Sequence, residues 1–444
     1  MTVQPSFSHS NVSPSTSPET TGRPRKIGWA LFAIFLGSAA PSLIFGKSAI
    51  AVTMIPVFLL SFTFPDWRKA FVSGKSLLAT PAGIICCATA VIWLVGVFHT
   101  LNPRLSAEAW IRTFLLAYFS VFIGQLLVRH AEIHRPVLKA LSVVCVLAWV
   151  LSYAGLAVPE VLGLIHAKGW TPQPPDLGLK QFSAVAMLLV PVALLAGFRL
   201  GGTWKILGII NTFGLIGVLI GASSRSSTAG LFAMVALVGG VVFWVKGSRR
   251  QLALFGGTLA LGIAAIAFWA QELHQVYWAR TLQSHYVIPN WMIDLARQEI
   301  WKFTWEKALE SPWIGHGINV VNYLPGAHEL VPGMGLTRYI SGHPHNWILE
   351  IFAETGGLGL TAIFILIATM FVTFVRQYKH TSEPAILATI AVNAGYWVSG
   401  LFNFSFWSVW WQMTYFMLFA LTCALAASHR CGHSSETPTV SRKT

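Results

Sequence analysis

Residues 27–428 alternate between apolar runs of about 20 residues and short loops, many of which carry lysine or arginine. A backbone surrounded by hydrocarbon must satisfy its own N–H and C=O groups, so runs of this length fold as helices that cross a bilayer. Only 10% of the residues are charged, where a soluble domain carries about 25%. The pattern predicts an all-α polytopic membrane protein. Its spans fall near 27–45, 48–64, 77–98, 108–128, 136–157, 178–198, 204–221, 228–245, 252–270, 346–375, 385–402 and 409–428, roughly twelve in number.

The formal charge of +14 would suggest a nucleic-acid partner in a soluble chain. Position argues otherwise. Arg68, Arg129, Arg199, Lys246, Arg250 and Lys379, among others, fall in loops on one side, the pattern that orients helices with basic loops inside. No nucleic-acid partner is expected, and both termini are placed in the cytoplasm. The Ser-, Thr- and Pro-rich tail 1–26 is expected to be disordered. Helices should fill 27–270 and 346–428, with a cytoplasmic tail at 429–444. Cys86, Cys87, Cys145, Cys423 and Cys431 lie outside the external segments and read as small buried apolar residues.

Residues 271–345 are too long for a connector. Within them Asn290 to Glu310 reads as a helix, with Asn290 as N-cap, Asp294 in the first turn and Pro312 as the stop. Arg297, Trp301 and Trp305 recur at i, i+4 and i+8 and share one face. Two readings of that face stay open: tryptophans anchoring a surface helix, or a lid whose arginine meets a ligand. A turn-rich stretch with Gly315, Gly317, Gly326, Gly333 and Gly335 leads to His343-Pro-His345-Asn346, where a long apolar helix begins.

A histidine at a helix N-terminus feels the positive end of the backbone dipole, which disfavours the imidazolium. A neutral His345 at the aqueous face suits a general base toward a hydroxyl. His343 could line the same mouth, and either ring could instead cap the helix or bond loop carbonyls. His316 and His328 would be the partners in a metal site, but the spacing matches no zinc pattern and no metal is expected. Glu350 and Glu354, one and two turns into the helix, need a histidine, an arginine or helix-packing bonds as partners, and Glu350 is also a candidate ligand of the diphosphate or sugar. Arg225, in the short turn Ser223-Ser-Arg-Ser-Ser227, reads either as a snorkelling side chain or as a diphosphate ligand, which arginine holds through two parallel hydrogen bonds. Lys180, Gln181, Arg112 and Arg338 belong to the same outward set and together would make an anion-binding rim. Trp291, Trp301, Trp305, Trp313 and Trp347 surround the region. An aromatic belt explains most of them, stacking on sugar rings one or two.

His345-Asn346 followed by Gly356 and Gly359 resembles the histidine signature of bacterial O-antigen ligases. Arg297-x-x-x-Trp301 and Pro312-x-x-Gly315-x-Gly317 are similar to the long periplasmic loop of the wider ligase and polymerase superfamily, and the turn at Arg225 to its Ser-Arg turn. The resemblance implies a C-type glycosyltransferase-like (GT-C) fold in the bacterial inner membrane. It implies transfer of polysaccharide from undecaprenyl diphosphate to a sugar hydroxyl of lipid A–core on the periplasmic side. His345 and Arg225 are the essential pair by this resemblance, with no nucleotide sugar, no metal and no other cofactor. His343 leaves the assignment of the base open between two rings. An O-antigen polymerase and a protein O-oligosaccharyltransferase are alternatives within the superfamily, and the short tail 429–444 argues against the second. An anion or lipid transporter would need ionisable groups at mid-membrane and broken helices, whereas the outward cations here cluster at helix ends.

Overall fold

Proline and a polar cap open several of the helices. Thr80, Asn102 and Glu383 each accept a backbone N–H of the first turn, and Pro81, Pro103 and Pro384 follow them, supplying the helical φ where no donor is needed. The computed structural model describes residues 23–278, 295–332 and 334–433. Most of the tail expected to be disordered, the expected helix start with Asn290, Trp291 and Asp294, Gly333 and the end of the C-terminal tail lie outside them. The helices are α1 (Arg23–Ser38), α2 (Ala49–Ser61), α3 (Trp67–Leu78), α4 (Pro81–Phe98), α5 (Pro103–Arg129), α6 (His134–Ala157), α7 (Pro159–Ile165), α8 (Pro175–Gly178), α9 (Lys180–Leu200), α10 (Thr203–Gly221), α11 (Arg225–Lys246), α12 (Arg249–Trp278), α13 (Leu295–Glu310), α14 (Trp347–Thr381), α15 (Pro384–Ser399) and α16 (Val409–His433). Among the described residues no strand forms beyond one isolated bridge, Leu330 with Arg338.

Among the described residues, eight helices are long and apolar enough to cross a membrane: α4, α5, α6, α9, α10, α11, α14 and α16. The chain is a multi-pass membrane protein. α1, α2 and α15 are shorter apolar helices. The span expected at 27–45 stops at Ser38, because Pro41 starts a 3-10 turn and Gly46, at φ +105, turns the chain, while α2 follows the span expected at 48–64 to within three residues. α3 occupies the gap expected before 77, and α12 runs longer than the expected 252–270.

The bundle is centred on α9 and α16, whose apolar windows are 78% buried, against 17% for α11 and 22% for α14. α9 and α10 turn on Gly201 and Gly202, both at positive φ, and touch at Gly197 and Gly208, where a Cβ on either would stand 2.8 Å from the other's backbone. At the same end Arg199 pairs with the buried Glu383 at the start of α15.

α14 is broken at Gly356, which takes φ 66 and ψ −175. The loop after α13 supplies the missing turn. Gly357 N and Leu358 N donate to Pro312 O and Trp313 O at 2.7 and 3.3 Å, and Ala353 O and Glu354 O accept from His316 N and Gly317 N, each at 2.9 Å. A Cβ on Gly356 would lie 2.2 Å from the Trp313 carbonyl, and one on Gly315 2.3 Å from the Glu354 backbone. Gly315 and Gly356, one from each sequence motif, therefore form one joint, where two backbones meet without room for side chains.

Candidate active site

His345 takes φ +57, a left-handed conformation that few non-glycine residues adopt. The helix cap is the next residue, Asn346, whose Oδ1 accepts from Ile348 N and Leu349 N at 3.0 and 3.3 Å. Neither histidine caps α14. Both turn onto the loop between α15 and α16, where His345 Nδ1 donates to Asn403 O at 2.8 Å and His343 Nε2 donates to the same oxygen at 3.0 Å. A carbonyl oxygen can only accept, so the bonded nitrogen carries the ring proton. Nε2 of His345 and Nδ1 of His343 keep their lone pairs. The two ring centroids lie 4.2 Å apart.

Burial is the main cause that pushes both rings toward neutrality. It brings His345 to about 4, against the pull of its carbonyl bond and with Arg297 and Lys180 adding to the shift. His343 falls to about 3 through burial, the neighbouring His345, Lys180 and Lys47, again against its bond to Asn403. The sequence predicted neutrality from the helix dipole; loss of water is the larger cause.

Asn403 is 1% exposed, and its Nδ2 donates to Ser226 Oγ at 3.0 Å. Ser226 follows Arg225 in the first turn of α11. The same turn is knitted by Ser224 Oγ and Ser227 Oγ at 2.7 Å, and by Ser227 Oγ and Ser183 Oγ at 3.4 Å. Ser183 itself bonds the carbonyl of Lys180, beside Gln181 at the start of α9. Arg225 is exposed, and among the described residues its guanidinium makes no hydrogen bond or ion pair. The histidines and the Arg225 turn thus meet at one end of the bundle, joined through Asn403.

α13 arches over this loop. Arg297 donates to Phe402 O at 2.7 Å, Trp301 Nε1 donates to Pro344 O at 3.0 Å, and Trp305 packs on Phe352 with ring centroids 5.5 Å apart. The shared helix face is therefore seated on the site's own backbone. Trp313 is exposed, and Trp347 is buried with its Nε1 donating to Trp397 O at 2.8 Å.

Three sequence expectations change. Glu350 is 2% exposed, and its carboxylate accepts from Ser405 Oγ at 2.6 Å and Phe406 N at 2.7 Å, so it clasps the α15–α16 loop and has no oxygen turned to a ligand. Arg112 is held by Glu108 and by Trp407 O, each at 3.1 Å, which takes it out of an anion rim. Arg338 is exposed in the loop bridge with Leu330, and no contact among the described residues brings it to the histidines. Glu354 resembles Glu350: it is fully buried and accepts from Asn319 N at 2.8 Å, Val321 N at 3.0 Å and Trp407 Nε1. His316 Nε2 donates to Lys307 O at 2.7 Å. Among the described residues no group of three or more His, Cys, Asp or Glu gathers as a metal site would.

The sequence reading missed Asn403 and Ser405. Both lie in Leu401-Phe-Asn-Phe-Ser-Phe-Trp407, a gap between two expected spans. The available signal was two small polar residues alternating with bulky aromatics where a connector needs none.

Residues 210–364 match the O-antigen ligase family. The matched stretch takes in Arg225, α13, both histidines and the glycine joint of α14. The chain is 25% identical over 183 residues to a protein of Rickettsia conorii named as a candidate polysaccharide ligase, covering 39% of this chain and 41% of that one. A similarly named protein of Rickettsia typhi is 24% identical over 214 residues, covering 46% and 49%. The matches thus span about half the length of these relatives or less. Every described side chain that bonds Asn403 sits inside the matched stretch, while Asn403 itself lies beyond it.

Proposed function

We propose that the chain is a membrane glycosyltransferase of the O-antigen ligase type, which moves a polysaccharide from undecaprenyl diphosphate to a sugar hydroxyl of lipid A–core. The carrying observation is the Asn403 junction, which holds a neutral imidazole beside a turn whose arginine, like Nε2 of that ring, has no partner among the described residues. In this reading the site faces the periplasm, the basic loops face the cytoplasm, and the roughly twelve spans form a GT-C-type fold in the bacterial inner membrane. Lys180, Gln181 and Arg297 line the donor side, with Trp301 near the sugar.

The chemistry follows from those groups. His345 Nε2 takes the proton of the acceptor hydroxyl as its oxygen attacks the anomeric carbon of the donor. The bond from that carbon to the phosphate oxygen breaks, and its electron pair leaves with the diphosphate. Arg225 stabilises the charge that develops there. One displacement inverts the anomeric centre. The donor is already activated, so no nucleotide and no metal enter the step.

The test is complementation of a ligase-deficient strain, read as the ladder of polysaccharide-capped lipopolysaccharide. Capping supports the ligase. Longer lipid-linked chains without capping would replace it with a polymerase, and an unchanged glycan profile with a transporter.

A further inference from the structure

We infer that Asn403 is a positioning residue for the transfer, a strap whose two ends hold the base and the diphosphate-binding turn at a fixed separation. The inference rests on the ligase reading above. Its backbone carbonyl receives both histidines, at 2.8 and 3.0 Å, and its side-chain amide reaches across to Ser226 at 3.0 Å. No other residue in the described part of the chain bonds both the histidine loop and the first turn of α11. The preceding carbonyl, Phe402 O, takes Arg297, so two consecutive peptides collect three of the cationic or basic side chains at the site.

Asn403 is also poorly satisfied for a residue that only fills space. Its Oδ1 is buried and has no partner among the described residues, as does the hydroxyl of Ser399 one turn earlier. An unpaired buried acceptor destabilises a fold, and an apolar residue of similar size would avoid that cost. Such costs are tolerated where the geometry serves the site. Here the amide N–H is the group that serves.

The consequence concerns rate more than affinity. Removing the amide leaves the carbonyl that orients the rings and leaves Arg225 in its turn, so each half of the site stays intact. What loosens is the distance between them. A displacement of about 1 Å between reacting groups can cost on the order of 100-fold in rate.

The purified full chain, reconstituted with lipid-linked polysaccharide and lipid A–core, provides the test. Asn403→Ala, Ser226→Ala, the double variant, Ser226→Thr and His345→Ala are compared by kcat and by KM for the donor. The expected result is a fall in kcat of roughly 10-fold or more for each single alanine, with KM changed by less than about threefold. The double variant should be no slower than the slower single, because both remove one bond. Ser226→Thr, which keeps the hydroxyl, should recover most of the rate. A kcat for Ser226→Ala within about twofold of the parent, or losses that multiply in the double variant, overturns the strap. Full activity in His345→Ala would move the base to His343 or remove it, whereas no transfer by the parent chain would overturn the ligase reading itself, and these failures are distinguishable from that of the strap.

Discussion

His130 and His345 stand at opposite ends of the bundle, and their ring nitrogens meet opposite kinds of neighbour. His130, just after α5, has Nε2 2.6 Å from Asp66 Oδ1 and Nδ1 3.0 Å from Glu132 Oε1. Its ring packs against Trp29 and Phe64, with centroids 5.2 and 5.0 Å apart, and Arg129 stands 3.9 Å from the same aspartate. Both nitrogens are committed to carboxylates, and the group ties α3, α5 and α6 together. His345 has one nitrogen on a neutral carbonyl and the other without a partner among the described residues. The acceptors around a histidine decide whether it holds helices together or can receive a proton. The cations differ in the same way. Arg199 is paired with Glu383, whereas Arg225 makes no bond with the described protein.

The sharpest way to break this comparison is to remove the ring. His345→Ala should lower capping by about 100- to 10,000-fold, the span expected for loss of a general base, while the protein still reaches the membrane. Arg225→Ala should fall comparably and Arg225→Lys should recover only part, since lysine cannot make two parallel bonds to one phosphate. Both are read from the lipopolysaccharide ladder beside an immunoblot of the membrane fraction.

Next in size are the joints. Glu354→Ala leaves Asn319 N, Val321 N and Trp407 Nε1 buried without their acceptor, at about 1–3 kcal/mol for each unsatisfied group. Little folded protein should survive detergent extraction, as measured by thermal unfolding on a size-exclusion column. Gly356→Ala should do the same through the 2.2 Å approach to Trp313.

At the other end, His130→Ala should lower the thermal midpoint in detergent yet leave the capping rate per folded molecule close to the parent's. A large loss of rate at full stability would show that the two histidines are not separable as drawn.

The smallest effect is that of pH. Unfolded histidine titrates near about 6.5, whereas folded His345 and His343 stand at about 4 and about 3. The unfolded chain therefore binds more protons below pH 6.5, and stability is lost as the pH falls from there toward the folded values. Activity should stay flat from pH 8 to about 5 and drop only below that. An inflection near 6.5 in the rate profile would mean that the ring is solvated in the working enzyme.

Much of the site was legible before any coordinates. His345, His343, Arg225 and Lys180 could be picked out because polar residues at the ends of apolar helices have few other reasons to be there. The glycine spacing was legible as a pattern, though its reason, a helix break mended by a loop more than 35 residues upstream, is a long-range hydrogen-bond match. Glu350 and Arg112 looked like ligands because a sequence shows a charge and hides its partner. Each has one side-chain partner, Ser405 and Glu108, and one backbone partner, Phe406 N and Trp407 O, and backbone groups carry no mark in the sequence.

The sequence by itself determined that this chain crosses a membrane repeatedly, because hydrocarbon accepts only long apolar segments that bond internally. It also placed the candidate site residues at helix ends, where water is within reach. Only the tertiary structure decided which of them meet. That meeting depends on Asn403, whose carbonyl and amide point to two elements distant in the chain, and direction in space is a property that residue spacing does not encode.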